Sequence, residues 1–134
     1  MAKRIADNVI PISTPLDTSF FKAWLDFTEP LHNLTEKEKL VMACYLKEYY
    51  ELTKVISDDA ILIDVLSSTS TRQKIQNMVG IKSAHLQAVL HAFKKKGLML
   101  EGKINPKLIP AITSDVVDSK EFRLMIRFSL DENN

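Results

Sequence analysis

Cationic side chains are concentrated in one part of this 134-residue chain, residues 68–110. This segment has eight cations and a single acid, Glu101, which together give it a net charge of +7. Its cations are Arg72, Lys74, Lys82, Lys94, Lys95, Lys96, Lys103 and Lys107. The flanking segments are net acidic, so the whole chain carries only +1. A local excess of cations suits the binding of a polyanion, although a charged run is also typical of a solvated face without a partner.

Two helices joined by a short turn are predicted inside this basic segment. Ser70 and Gln73 form an S-x-x-Q capping box for the first helix. Its apolar positions recur at helical spacing and are Ile75, Met78 and Val79. Gly80 follows, where a helix often ends because glycine adopts the left-handed conformation at little cost. The second helix covers about residues 83–96, with Ser83 as its predicted cap. Its apolar residues form one buried stripe, namely Leu86, Val89, Leu90 and Phe93.

The second helix keeps small or hydrogen-bonding side chains on its other face. These are Ser83, Ala84, His85, Gln87, Ala88 and His91. A recognition helix needs such a face to enter the major groove of DNA and reach base edges. Any helical hairpin with a polar outer face would show the same pattern, so DNA recognition by this helix is a hypothesis.

The N-terminal part predicts an arm followed by an aromatic helix. Residues 1–17 contain two prolines within an apolar segment, which predicts an extended arm. Asp17 or Thr18 can cap the helix that follows. Its aromatic residues suit either the core or a subunit interface.

Two further helices are predicted before the basic segment. Thr35 and Glu38 form a T-x-x-E capping box, and residues 40–52 are apolar nearly all round, which predicts a central buried helix. Ser57 is the predicted cap of the next helix, whose core side includes Ile61. Cys44 lies in the apolar run of the central helix, so we expect a buried structural thiol.

The period of the apolar pattern changes after Gly97. Residues 98–104 read as a strand segment in which Leu98, Leu100 and Ile104 flank a turn signal, Glu101-Gly102-Lys103. Residues 122–130 alternate apolar and polar side chains, which is a strong strand signal. We predict that the two segments pair antiparallel and that residues 105–120 form a long loop between them. The predicted fold is mainly α with a small antiparallel β-sheet, in one domain over residues 18–130 followed by a polar tail at 131–134.

Several classes of function are not expected from this sequence. It has no apolar run of 18 residues and no secretory signal, and it lacks a phosphate-binding glycine loop or a catalytic serine or cysteine motif. Asp58, Asp59 and Asp64 could suggest a metal site, but a helix start explains the first two, so no metal site is expected. His85 and His91 are about 240° apart around a helix and diverge. We therefore expect no enzyme activity, cofactor, metal or small-molecule substrate.

The order of a T-x-x-E helix, an acidic helix, a T-R-x-K-I helix, a G-I-x-x-x-H-L-Q helix, K-K-G and a sheet resembles winged helix-turn-helix proteins over roughly residues 35–130. More narrowly, PLHNLTEKEKLVMA, TRQKIQNMVGIKSAHLQAVL and GKINPKLIP resemble small proteins of crAss-like tailed bacteriophages. That resemblance implies a phage source, with action in the bacterial host cytoplasm or in the virion.

The resemblance to winged helices also implies roles for the polar residues. The residues that would face bases are Ser83, His85, Gln87 and His91. Those that would face phosphates are Arg72, Lys74, Lys82, Lys94, Lys95 and Lys96, and Lys103 belongs to the same expected nucleic-acid surface. The helix face lacks the arginine and asparagine of strong base readers, so the resemblance supports DNA contact more than sequence specificity.

Two functions follow as expectations. The first is a non-enzymatic protein that binds duplex DNA, as a homo-oligomer. The second is a structural or assembly protein of the phage particle, such as a neck, connector or ring subunit, which uses the same fold to contact other phage proteins.

Overall fold

Several helices of this fold begin at a side-chain cap. The computed structural model describes residues 11–131. Its helices are α1 (Thr18–Phe27), α2 (Glu29–His32), α3 (Glu36–Thr53), α4 (Asp59–Leu66), α5 (Thr69–Val79), α6 (Ser83–Lys95) and α7 (Ser114–Ser119), with strands β1 (Met99–Leu100) and β2 (Lys103–Ile104) and a 3-10 helix at Pro106–Leu108. The prediction of a mainly α fold with a small antiparallel sheet is confirmed.

The predicted helix caps are only partly correct. Asp17 caps α1, and the capping box of α3 is present with both of its hydrogen bonds. The other three helices with predicted caps begin differently from the prediction. Asp58 rather than Ser57 caps α4, Ser68 rather than Ser70 caps α5, and α6 follows Lys82 without a side-chain cap. Ser68 is preferred because its hydroxyl accepts from the Thr71 N–H at 3.2 Å and also donates to the Val65 carbonyl at 2.7 Å, which joins α5 to the end of α4.

Helix α3 lies at the centre of the core, as its sequence predicts. All six residues from 41 to 46 are buried, and the predicted burial of the Cys44 thiol is confirmed. Burial raises the pKa of that thiol to about 11. Residues of α1, α5 and α6 pack around this helix, notably Leu25, Ile75 and Phe93. The burial of Ile61, in contrast, is not observed, since about half of its side chain is exposed.

The stripe of α6 packs into this core. Leu86, Val89 and Phe93 are buried as predicted, while Leu90 is half-buried against them. The corresponding prediction for α5 is less accurate, because Ile75 is buried and Met78 is exposed.

The predicted pairing of residues 98–104 with residues 122–130 is wrong. Residues 98–104 instead form their own hairpin, in which Met99 pairs with Ile104 and Leu100 with Lys103. The turn between the strands has positive φ at Glu101 (49°) and Gly102 (87°), as a tight two-residue hairpin requires. The two-residue turn at 101–102 brings β1 and β2 together at a small cost in chain entropy. Pairing with residues 122–130 would instead require closing the 16-residue loop 105–120, which costs more entropy.

Residues after the hairpin return across α1 instead of forming a loop. The 3-10 helix and α7 lie within the predicted loop 105–120. The Trp24 indole donates to the Leu108 carbonyl at 2.7 Å, and the Phe122 ring packs edge-to-face on Trp24 and Phe20, with centroids 5.7 and 5.2 Å apart. Residues 123–131 then continue without helix or strand and are exposed.

Lys39 ties the N-terminal helices to α3. Its buried ammonium contacts the carboxylates of Asp26, Glu29 and Glu36. These hydrogen bonds, that of Glu29 foremost, raise the pKa of Lys39 despite its loss of hydration. The cluster therefore keeps a buried charge compensated, as burial requires.

The predicted arm and tail fall mainly outside the described residues. Residues 1–10 and 132–134 lie there, and residues 11–17 contain no helix or strand. No helix among residues 11–131 is both long enough and apolar enough to cross a lipid bilayer.

Candidate nucleic-acid interface

A three-residue turn sets the relative position of α5 and α6. Gly80 adopts φ 78° after α5, and its N–H donates to the Gln76 carbonyl at 2.8 Å. The Ile81 N–H donates to the same carbonyl, and the Ile81 side chain packs against the core. Turns of three or four residues, often with glycine, join the two helices of helix-turn-helix motifs.

The polar face of α6 points into solvent. The four side chains predicted to face bases are all exposed, namely Ser83, His85, Gln87 and His91. They alternate with the small exposed residues Ala84 and Ala88. The packing of Phe93 and Leu86 on the core fixes this orientation, because residues at 100° intervals divide between two faces of the helix. The face can therefore be approached by a large partner without steric obstruction from its own side chains.

Most of the predicted phosphate contacts remain available at the surface. Lys82, Lys94, Lys95 and Lys103 are exposed and form no ion pair with any residue between 11 and 131. Lys94 and Lys95 lie in the last turn of α6, where cations also favour the helix dipole. Their charge can be used for a partner because no carboxylate in the described part of the chain neutralises it.

Two of the predicted contacts are engaged within the fold. The Lys74 ammonium lies 2.9 Å from Oε1 of the buried Glu48. The Lys96 ammonium lies 3.2 Å from Oε1 of Glu38 and donates to the Asn33 carbonyl at 3.1 Å. Nothing in the sequence distinguishes Lys96 from its neighbours Lys94 and Lys95, since only packing brings it beside α3.

A groove of about 420 Å³ separates α6 from the hairpin. Arg72 of α5 and His91 and Lys94 of α6 line it, and Glu101 contributes the one acidic group. Tyr45 lies in its apolar wall, where burial raises the pKa of the phenol to about 12 against the opposing charge of Arg72. Sequence reasoning assigned Arg72 to a separate helix and Glu101 only to a turn, so it missed that the fold brings both beside α6.

The hairpin is held against α4 at one glycine. Gly102 is buried, and a Cβ placed on it would lie 3.0 Å from the Ser67 nitrogen and closer still to the Ile63 carbonyl oxygen. This close approach fixes the turn next to the groove and places Lys103 on the exposed side of β2.

The described residues contain no group of three or more metal-ligating side chains. The Asp58 carboxylate accepts from the N–H groups of Ala60 and Ile61 and so serves as a helix cap.

No protein-family model, curated protein or solved structure matches this chain.

Proposed function

We propose that this protein is a non-enzymatic winged-helix protein that binds duplex DNA through α6. The observation that carries the proposal is the coincidence of an exposed, small and hydrogen-bonding helix face with bordering cations that form no ion pair among residues 11–131. Lys82 precedes the helix, Lys94 and Lys95 end it, and Lys103 lies on the adjacent hairpin. This arrangement matches a helix inserted in the major groove between two phosphate backbones.

The roles of the residues follow from their chemistry. Lysine contacts phosphate as a point charge and carries no sequence information, so Lys94 and Lys95 supply affinity. Gln87 can form a bidentate pair with adenine, and His85 is its neighbour on the helix face. The strands β1 and β2 have two residues each, so the proposed wing is short and adds only the contact of Lys103.

Binding of labelled duplexes in about 50 mM salt, where phosphate contacts are strongest, tests this proposal. We expect binding that weakens steeply as salt increases. Gln87→Ala and His85→Ala should change the preference among duplex sequences while leaving binding to a random duplex nearly unchanged. Undetectable binding in low salt would refute the proposal.

A second candidate is a structural subunit of a tailed-phage particle that uses this fold for protein contacts. The exposed apolar side chains of Phe27, Leu31 and residues 124–130 favour it, because large exposed apolar patches mark interaction sites. Quantitative mass spectrometry of virions from a phage that encodes the protein tests this role. Many copies per particle support it, and absence from purified virions rejects it.

A further inference from the structure

Residues 122–130 combine a strong strand pattern with the absence of a strand partner in the described range, residues 11–131. The apolar side chains of the segment are largely in water: Ile126 is 62% exposed, Phe128 83% and Leu130 87%. Within residues 11–131 the only sheet is the β1–β2 hairpin. The alternation therefore describes a strand that pairs with no other strand among residues 11–131 and whose apolar face, apart from Phe122, is largely exposed.

We infer that residues 122–130 pair antiparallel with the same residues of a second copy, so that the two tails form the core of a homodimer. Unpaired extended backbone with apolar side chains recruits another strand. A second copy is the occupant because the segment is complementary to itself about a two-fold axis, as an isologous interface requires. This inference does not depend on DNA binding.

The register that pairs all of residues 122–130 with each other is favoured by charge over its two neighbouring registers. With Ile126 on the two-fold axis, Arg127 lies opposite Met125, and Arg123 lies opposite Ser129. Moving the axis to residue 127 places Arg127 opposite its own copy, and moving it to residue 125 places Arg123 opposite Arg127. Like charges directly opposite each other destabilise a strand pair, and parallel in-register pairing would align both arginines with themselves.

The same register joins the apolar faces. Leu124 lies opposite Phe128, and Phe122 lies opposite Leu130. The outermost pair is acidic, Glu121 opposite Asp131, but the Arg123 guanidinium lies 3.1 Å from the Glu121 carboxylate and offsets its charge.

Helix α1 supplies the surface that covers the paired strands. Phe122 belongs to the apolar face of the tail and already packs on Phe20 and Trp24. In the proposed register Leu130 lies beside the second copy's Phe122, so the apolar face of each tail continues towards α1 of the other copy. Phe27 of α1, which is 52% exposed, is an apolar side chain on that helix that such a dimer can cover. A two-stranded ribbon alone is only marginally stable in water, and packing of its apolar face on α1 of both copies supplies the missing stability.

Sedimentation velocity of the full chain over about 1–200 μM tests the dimer, with two matched variants. Ile126→Asp places a charge on the apolar face, while Met125→Asp places the same charge on the opposite face at a residue that is 87% exposed. Neither position is buried in a single copy, so both variants should fold. We expect a wild-type dimer, a dissociation constant raised roughly 100-fold or more by Ile126→Asp, and a near-normal dimer for Met125→Asp.

A wild-type monomer at 200 μM overturns the inference. So does an Ile126→Asp variant that keeps its dimer, or a Met125→Asp variant whose dimer is weakened as much as that of Ile126→Asp.

Cross-linking tests the register independently. Ile126→Cys should form an intermolecular disulfide, because the paired Cα atoms lie about 4.5–5.5 Å apart. Ser129→Cys should not, because its two copies lie about 20 Å apart along the ribbon. Cys44 does not interfere because it is buried. Equal cross-linking at both positions overturns the register.

Discussion

Replacing Lys94 and Lys95 together with alanine should flatten the salt dependence of duplex-DNA binding. Both side chains are exposed at the end of α6 and form no ion pair within the described residues. Their neighbour Lys96 is the matched control, since it carries the same charge but its ammonium is held by Glu38 and the Asn33 carbonyl. The comparison therefore separates contact with DNA from the loss of positive charge in general.

The size of the effect follows from the release of counterions. Each lysine–phosphate contact contributes about 0.9 to the negative slope of log K against log salt on duplex DNA, so losing two contacts should reduce the slope by about 1.8. If the lines for the two proteins meet near 1 M salt, the double variant binds about 60-fold more weakly at 0.1 M and about 200-fold more weakly at 0.05 M. The loss should be the same for every duplex sequence because phosphate contacts do not read bases.

Fluorescence anisotropy with one labelled duplex at four or more salt concentrations gives the slopes. Lys96→Ala should leave the slope unchanged within error and should lower the free energy of unfolding by about 0.2–1 kcal/mol, as the loss of a surface ion pair does. A double variant that keeps the wild-type slope refutes the proposed contacts. A Lys96→Ala slope as flat as that of the double variant shows instead that general charge, and not the face of α6, determines binding.

Three further predictions concern the fold. Phe93→Ala should lower the free energy of unfolding in urea by about 3–5 kcal/mol because the ring is fully buried, whereas the exposed His91→Ala should change it by less than about 0.5 kcal/mol; equal effects would contradict the orientation of α6. Gly102→Ala should lower the melting temperature more than Gly97→Ala, because both have positive φ but only Gly102 has backbone against its Cβ position. The Cys44 thiol should resist a thiol reagent at pH 8 in the folded protein and react in urea, and stability should fall as the pH rises from about 9 towards 11, since burial raises the pKa of the thiol from 9.0 to about 11; rapid labelling without urea would contradict the burial.

The helices of this protein were predictable because their signals are local. A capping box at Thr35 and Glu38, a left-handed glycine at position 80 and the stripe ending at Phe93 all act within a few residues. The same periodicity correctly assigned the exposed face of α6 with His85 and His91. Caps were less accurate where several serines compete, as at the start of α5, because the bond between the Ser68 hydroxyl and the Val65 carbonyl depends on how α4 ends.

The sequence alone determined the amphipathic helices, the position of the basic segment and the alternating pattern of residues 122–130, although no strand forms there. Only the tertiary structure decided which of these features meet. It pairs Lys96 and Lys74 with carboxylates of α3, brings Arg72 beside α6, and closes residues 98–104 into their own hairpin. The physical reason is that periodicity indicates which face of a helix or strand is apolar but does not identify the element that packs against that face. Contacts between residues distant in the chain depend on the packing of whole helices, and residues 122–130, despite their strand pattern, find no partner strand among residues 11–131.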